Sequence, residues 1–126
     1  MGAFTVTSVI GCATGDIGRG KSVVLTATGP ASYDAAGSII DLSSANTVLT
    51  GFVNEAAFVR VTGVKLVGIG AAASVRYFCT YVPAALGAPA TGKVKVRDAD
   101  DATAMSEVSA AADLSAVVFH FEITGA

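Results

Sequence analysis

AVVFHFEIT, residues 116–124, sets Val117, Phe119, Phe121 and Ile123 on one side of an extended chain and Val118, His120, Glu122 and Thr124 on the other. Side chains alternate across a β-strand, so this split gives one face to a core and the other to solvent or a neighbour. Four large apolar residues at strict period two do not fall on one stripe of an α-helix.

The same signature recurs outward from this segment. In GKVKVRD (92–98), Val94 and Val96 alternate with Lys93, Lys95 and Arg97. FTVTSVI (4–10) sets Phe4, Val6 and Ile10 against Thr5 and Thr7. SVRYFCTYV (74–82) is the most aromatic run and places Tyr77 and Tyr81 on a side with Val75 and Cys79. KSVVLTAT (21–28), SIIDL (38–42) and VTGVKLVGIG (61–70) are further short β-branched runs cut by glycine or proline. The stretches between them, GCATGDIGRG (11–20), GPASYDAAG (29–37) and PAALGAPATG (83–92), carry turn residues. Residues 43–59 fit a helical turn or another strand, and residues 99–113 fit a helix or a covered loop. Short strands every ten to fifteen residues without long crossover helices predict an all-β protein. The expected architecture is one antiparallel β-sandwich, jelly-roll-like, with glycine/alanine-rich loops, spanning residues 1–126. Residues 1–10 are either an N-terminal arm strand or the sandwich's own first strand.

Composition narrows the function. The chain has 126 residues, of which 52% are apolar and only 14% charged, against about 25% charged in ordinary soluble domains. There are 24 alanines and 17 valines but six leucines and six isoleucines, a mix suited to strands rather than to a helical bundle. So little ionic surface predicts that the chain covers apolar patches by association. The eight Lys and Arg are scattered and the net charge is −2, so nucleic acid is not an expected partner. No apolar run reaches the ~20 residues of a membrane helix, and MGAFTVTSVIG lacks a basic segment before a long apolar one, so the expectation is no membrane and assembly in a cytoplasm. Cys12 and Cys79 then read as free thiols.

One motif points elsewhere. GDIGRGKS (15–22) matches the phosphate-binding pattern G-x-x-x-x-G-K-S. That loop works only where a helix begins at its Lys-Ser, because the helix N-terminus and loop amides hold the phosphates. Here VVLTATGP follows, β-branched and ended by Gly29-Pro30. A strand is expected instead, with Arg19 and Lys21 at a turn or loop edge and no nucleotide cofactor.

Other candidate sites have ordinary readings. Asp98, Asp100 and Asp101 in RDADDA could begin a calcium loop, but the spacing lacks the central glycine and further ligands, with Glu107 a weak closing residue, so a solvated turn is expected. His120, the one histidine, falls on the outward side of its strand. No G-x-S-x-G elbow occurs, so no catalytic set and no enzyme activity is expected. The residues expected to form an interface are Phe4, Val6, Ile10, Tyr77, Tyr81 and His120.

Three stretches carry a family likeness: TGPASYDAAGSIIDLS (28–43), YVPAALGAPATGKVKVRDADDA (81–102) and EVSAAADLSAVVFHFEITGA (107–126). In these the chain resembles small virion structural proteins of tailed bacteriophages, of the capsid decoration or cement type. The resemblance implies a sandwich or jelly-roll module, a homo-oligomer such as a trimer, the major capsid protein as partner, a place on the capsid surface, and a purely adhesive role. The alternative is a β-sandwich carbohydrate- or receptor-binding module of a tail or surface protein.

Overall fold

The computed structural model describes residues 2–14, 20–52, 56–70, 77–98 and 106–126. Seven strands follow in order: β1 (Ala3–Thr14), β2 (Lys21–Thr28), β3 (Ser38–Ile40), β4 (Val61–Ile69), β5 (Tyr77–Val82), β6 (Lys93–Asp98) and β7 (Val118–Gly125). A single turn of helix, α1 (Thr47–Thr50), falls in the ambiguous 43–59 stretch. Asn46 starts it by accepting from the Val48 N–H at 3.1 Å. Among the described residues the protein is nearly all-β, and its strands form one mixed sheet in the order β4-β7-β2-β1-β3-β6-β5. The two end strands, β4 and β5, come together, so the sheet curls almost into a barrel.

The expected antiparallel pairing holds at every junction but one. Thr5–Thr14 pairs antiparallel with β2, while Ala3 and Phe4 run parallel to Ile39 and Ile40 of β3. The cause is the connection between β2 and β3. It passes over the start of β1 to reach that strand's other side, so β3 returns in the direction of β1. The crossing is tight enough that a Cβ on Gly2 would collide with the Ser32 carbonyl. In the folded chain the first strand therefore lies in the middle of the sheet, paired on both sides.

The stretch that decides the fold lines the core as its alternation predicts. Phe119, Phe121 and Ile123 are fully buried, and the Phe119 and Phe121 rings lie parallel with centroids 5.8 Å apart. Phe4 meets both rings edge-on at 5.4 and 5.8 Å, a favoured quadrupole arrangement. Val23, Leu25 and Ala27 of β2 and Val94 and Val96 of β6 are buried in the same core.

Two β-bulges in β1 change its phase. The register slips between Val6 and Ser8 and again between Val9 and Gly11. Each bulge inserts one residue and turns the following side chains to the other face. Val6, Val9 and Cys12 thus pair with the inward Ala27, Leu25 and Val23, at intervals of three rather than two. Ile10, expected beside Phe4 and Val6, instead points out and is 61% exposed.

Tyr33 ties the loops to the sheet. β3 is only three residues long, so the β6 backbone beyond it needs other partners. The Tyr33 hydroxyl accepts from the Val96 N–H at 2.9 Å and donates to Glu107 Oε2 at 2.6 Å. Val108 N donates to the Val96 carbonyl, and Asp98 N to the Ser106 carbonyl. Burial, together with the hydrogen bond to Glu107, pushes the Tyr33 phenol well above its ordinary range.

Candidate functional site

The six residues expected at an interface separate into three environments. Phe4 and Val6 are 5% exposed and belong to the chain's own core, where the central position of β1 puts them. As placed, they offer nothing to a neighbour, which corrects the expectation for both. Tyr77 and Tyr81 lie half-buried on the inward side of β5, and the Tyr77 ring sits 6.2 Å from that of Phe119. The Tyr81 hydroxyl is buried and meets no hydrogen-bond partner among the described residues. It packs against Gly92, where any Cβ would strike the phenol ring. Burial raises the Tyr81 phenol above its usual range. Ile10 and His120 remain at the outer surface. His120 is half-buried, with Nδ1 3.3 Å from Thr26 Oγ1 and its ring beside Gly68 and Gly70.

The nucleotide-loop match resolves similarly. Lys21 opens β2, so a strand stands where a phosphate site would need a helix. Lys21 Nζ donates to the Ala57 carbonyl and lies 5.1 Å from the centre of the Phe58 ring. The lysine is committed to the chain's own backbone. Residues 15–19 of the motif lie outside the described residues, as do Asp100 and Asp101 of the acidic stretch.

Folding assembles two surfaces that the linear sequence does not show together. The first is the outer face of β5 and β6. Antiparallel register places Phe78 beside Arg97, Thr80 beside Lys95 and Val82 beside Lys93, with Ile39 of β3 next to Lys93. Phe78 is 55% exposed. The three cations stand about 6.8 Å apart along one strand, two residues per step. No outward position of β3, β5 or β6 carries a carboxylate. Arg97 is opposed by Glu107 in an isolated bridge, but that carboxylate accepts from the Tyr33 hydroxyl and the Ala36 N–H.

The second surface is a cavity of about 370 Å³ whose walls include Tyr77, Asp98, Glu107, Ser109 and Asp113. Asp113 accepts from the Ser115 N–H at 2.9 Å and its hydroxyl at 2.6 Å, which holds its carboxyl below the ordinary range. Among the described residues no group of three or more His, Cys, Asp and Glu is arranged to hold a metal ion. Among the same residues no helix is long and apolar enough to cross a membrane.

No family model, curated protein or solved structure matches the chain.

Sequence reasoning missed Phe78 and Val82, because Tyr77 and Tyr81 drew the interface to the other side of the same strand. The signal was present in YFCTYV, since period two that buries one set must expose the other. It missed Leu86 as well. That residue sits in a short 3-10 turn (Ala85–Gly87) at φ 59° and is 91% exposed.

Proposed function

We propose that this chain is a non-enzymatic virion structural protein: a decoration or cement subunit that associates with its own copies and with the major capsid protein on the outside of a capsid. One observation carries the reading. A chain with 14% charged residues leaves Leu86, Val59, Ile10, Phe78 and Val67 each more than half exposed. Water is a poor neighbour for that surface, and association removes it at about 25 cal/mol per Å² of apolar area. The curled sheet supports a sandwich or jelly-roll module. Tyr77 of β5 lies against Phe119 of β7, so the sheet wraps one apolar core, as such a module would. Repetition over a lattice multiplies weak contacts by avidity, which suits an adhesive role that needs no chemistry.

A carbohydrate-binding module is the second reading, favoured by the cavity in which Tyr77 stands beside Asp98 and Asp113. Carboxylates accept from sugar hydroxyls while an aromatic ring covers an apolar sugar face. Two measurements separate the readings. A decoration subunit gives an oligomer mass by multi-angle light scattering and pellets with expanded capsids. A monomer that fails to pellet and instead binds saccharides on an array refutes the first reading and supports the second.

A further inference from the structure

We propose that the cationic outer face of β5 and β6 in one copy docks on the acid-lined cavity of a second copy. The inference rests on the self-association reading above and names its contact.

Charge complementarity within one sequence supports the contact. Formal net charge is −2, from eight Lys and Arg against ten Asp and Glu. Lys93, Lys95 and Arg97 contribute +3 on one strand face, so the remainder of the chain carries −2 − 3 = −5. Half of the six described cations stand in that row, and half of the six described acids, Asp98, Glu107 and Asp113, line this cavity. A chain that gathers half of its described cations on one strand face and half of its described acids around one cavity presents two surfaces that complement each other between copies, although Arg97 and Glu107 stand where the two meet. The apolar component agrees. Phe78, Val82 and Ile39 flank the cations, while Tyr77, Val108 and Leu114 are in the cavity wall. Depletion of charge around an aromatic and aliphatic centre is typical of interface cores, with the ion pairs at the rim setting register and rate of encounter. Because the two patches are different sets of residues, the contact is an exchange in a twofold dimer or a head-to-tail step in a ring. The measured mass decides between these without altering the contact.

The test uses two variants of the full chain. Lys93→Glu with Lys95→Glu reverses the row at side chains on the outer face. Ser109→Lys with Asp113→Lys neutralises the cavity wall. Circular dichroism and a melt of each variant verify the fold. Self-association is measured by analytical ultracentrifugation from about 0.1 M to about 1 M salt, over which the screening length falls from ~10 Å to ~3 Å. Wild type is expected to weaken across that range. Each variant alone is expected to associate at least ~10-fold more weakly, as for like charges placed across an interface. An equimolar mixture of the two is expected to recover association, because the intact row of the wall variant meets the intact wall of the row variant. If wild type associates and both variants do so equally well, this contact is wrong and self-association stands. If wild type is monomeric at every concentration, self-association itself fails and the contact with it. If wild type instead binds a labelled oligothymidylate with a log–log salt slope near −2, the value for about three phosphates, and the row-reversal variant does not, the row serves a nucleic acid and the proposal is overturned.

Discussion

Two tyrosine hydroxyls in this core are expected to respond oppositely to the same one-atom change. Tyr33 is almost wholly buried, and its oxygen joins the Val96 N–H to the Glu107 carboxylate. Tyr33→Phe deletes a hydrogen bond to a charged group, worth about 1.5–3 kcal/mol, and leaves a buried backbone donor unpaired, costing about 1–3 kcal/mol. Glu107 keeps the Ala36 N–H, which places the total toward the lower half, near 3 kcal/mol. At about 4 °C per kcal/mol for a chain of this size, Tm falls by roughly 12 °C. Tyr81→Phe removes a buried hydroxyl that meets no partner among the described residues. That change is expected to be neutral or to stabilise by up to about 1 kcal/mol, since an unpaired buried hydroxyl costs free energy. Both variants would be unfolded in urea and by heat, with a constant m-value confirming that only stability has changed. Melting of the two within about 2 °C of each other, or greater damage from Tyr81→Phe, would refute the account of how the 106–114 loop is held to β6.

The bulged register of β1 gives a second contrast. Ile10→Asp is expected to change stability by no more than about 0.5 kcal/mol and Val9→Asp to cost at least about 2 kcal/mol, read by urea denaturation; the reverse order would restore the unbulged alternation. Burial pushes the Cys79 thiol up to about 12 from an ordinary 9.0. The folded state thus retains a proton that the unfolded chain loses above pH 9, so its contribution is complete below pH 9 and declines as pH rises toward 12. Tyr33 and Tyr81 add to the same alkaline decline, and Cys79→Ala should flatten its early part in a pH series of denaturation curves. Lys21→Met is expected to lower stability by about 1–2 kcal/mol through loss of the Ala57 hydrogen bond and the contact with the Phe58 ring. Neither it nor wild type should show a saturable thermal shift with Mg-ATP or Mg-GTP; such a shift in wild type, lost in the variant, would reinstate the nucleotide reading.

The core was legible wherever alternation ran unbroken. AVVFHFEIT and GKVKVRD needed only period two to assign their buried sets, and the chain buries Phe119, Phe121, Val94 and Val96 accordingly. FTVTSVI misled because a bulge leaves little local mark. Nothing in Thr7-Ser8 or Ile10-Gly11 states that the partner strand will advance by one residue fewer. The slip follows from pairing with β2, a contact between residues such as Val9 and Leu25 that lie far apart in sequence. The parallel pairing of β1 with β3 was hidden for the same reason, since it depends on the path of residues 29–37 over Gly2 rather than on the composition of either strand.

The candidate surfaces follow a different rule. The scatter of cations along the chain argued against a nucleic-acid partner and did not reveal a charged strand face. In a strand, however, residues two apart are neighbours on one face, and Lys93, Lys95 and Arg97 form a continuous row. The alternation that assigned Val94 and Val96 to the core was at once the statement that three cations share the opposite side. What remained illegible was their company. Phe78 and Val82 join that face through β5–β6 pairing, and the acids of the cavity meet only because Tyr33 and the Arg97–Glu107 bridge fold residues 106–114 back onto β6. If that loop is released, as in Tyr33→Phe at a temperature just below its melt, the acid-lined wall should disperse while the cation row on β6 persists. Self-association through the proposed contact should then fail before β-sheet circular dichroism does. Simultaneous loss of both signals would mean that the loop and sheet unfold as one unit and that Tyr33 holds no separable surface in place.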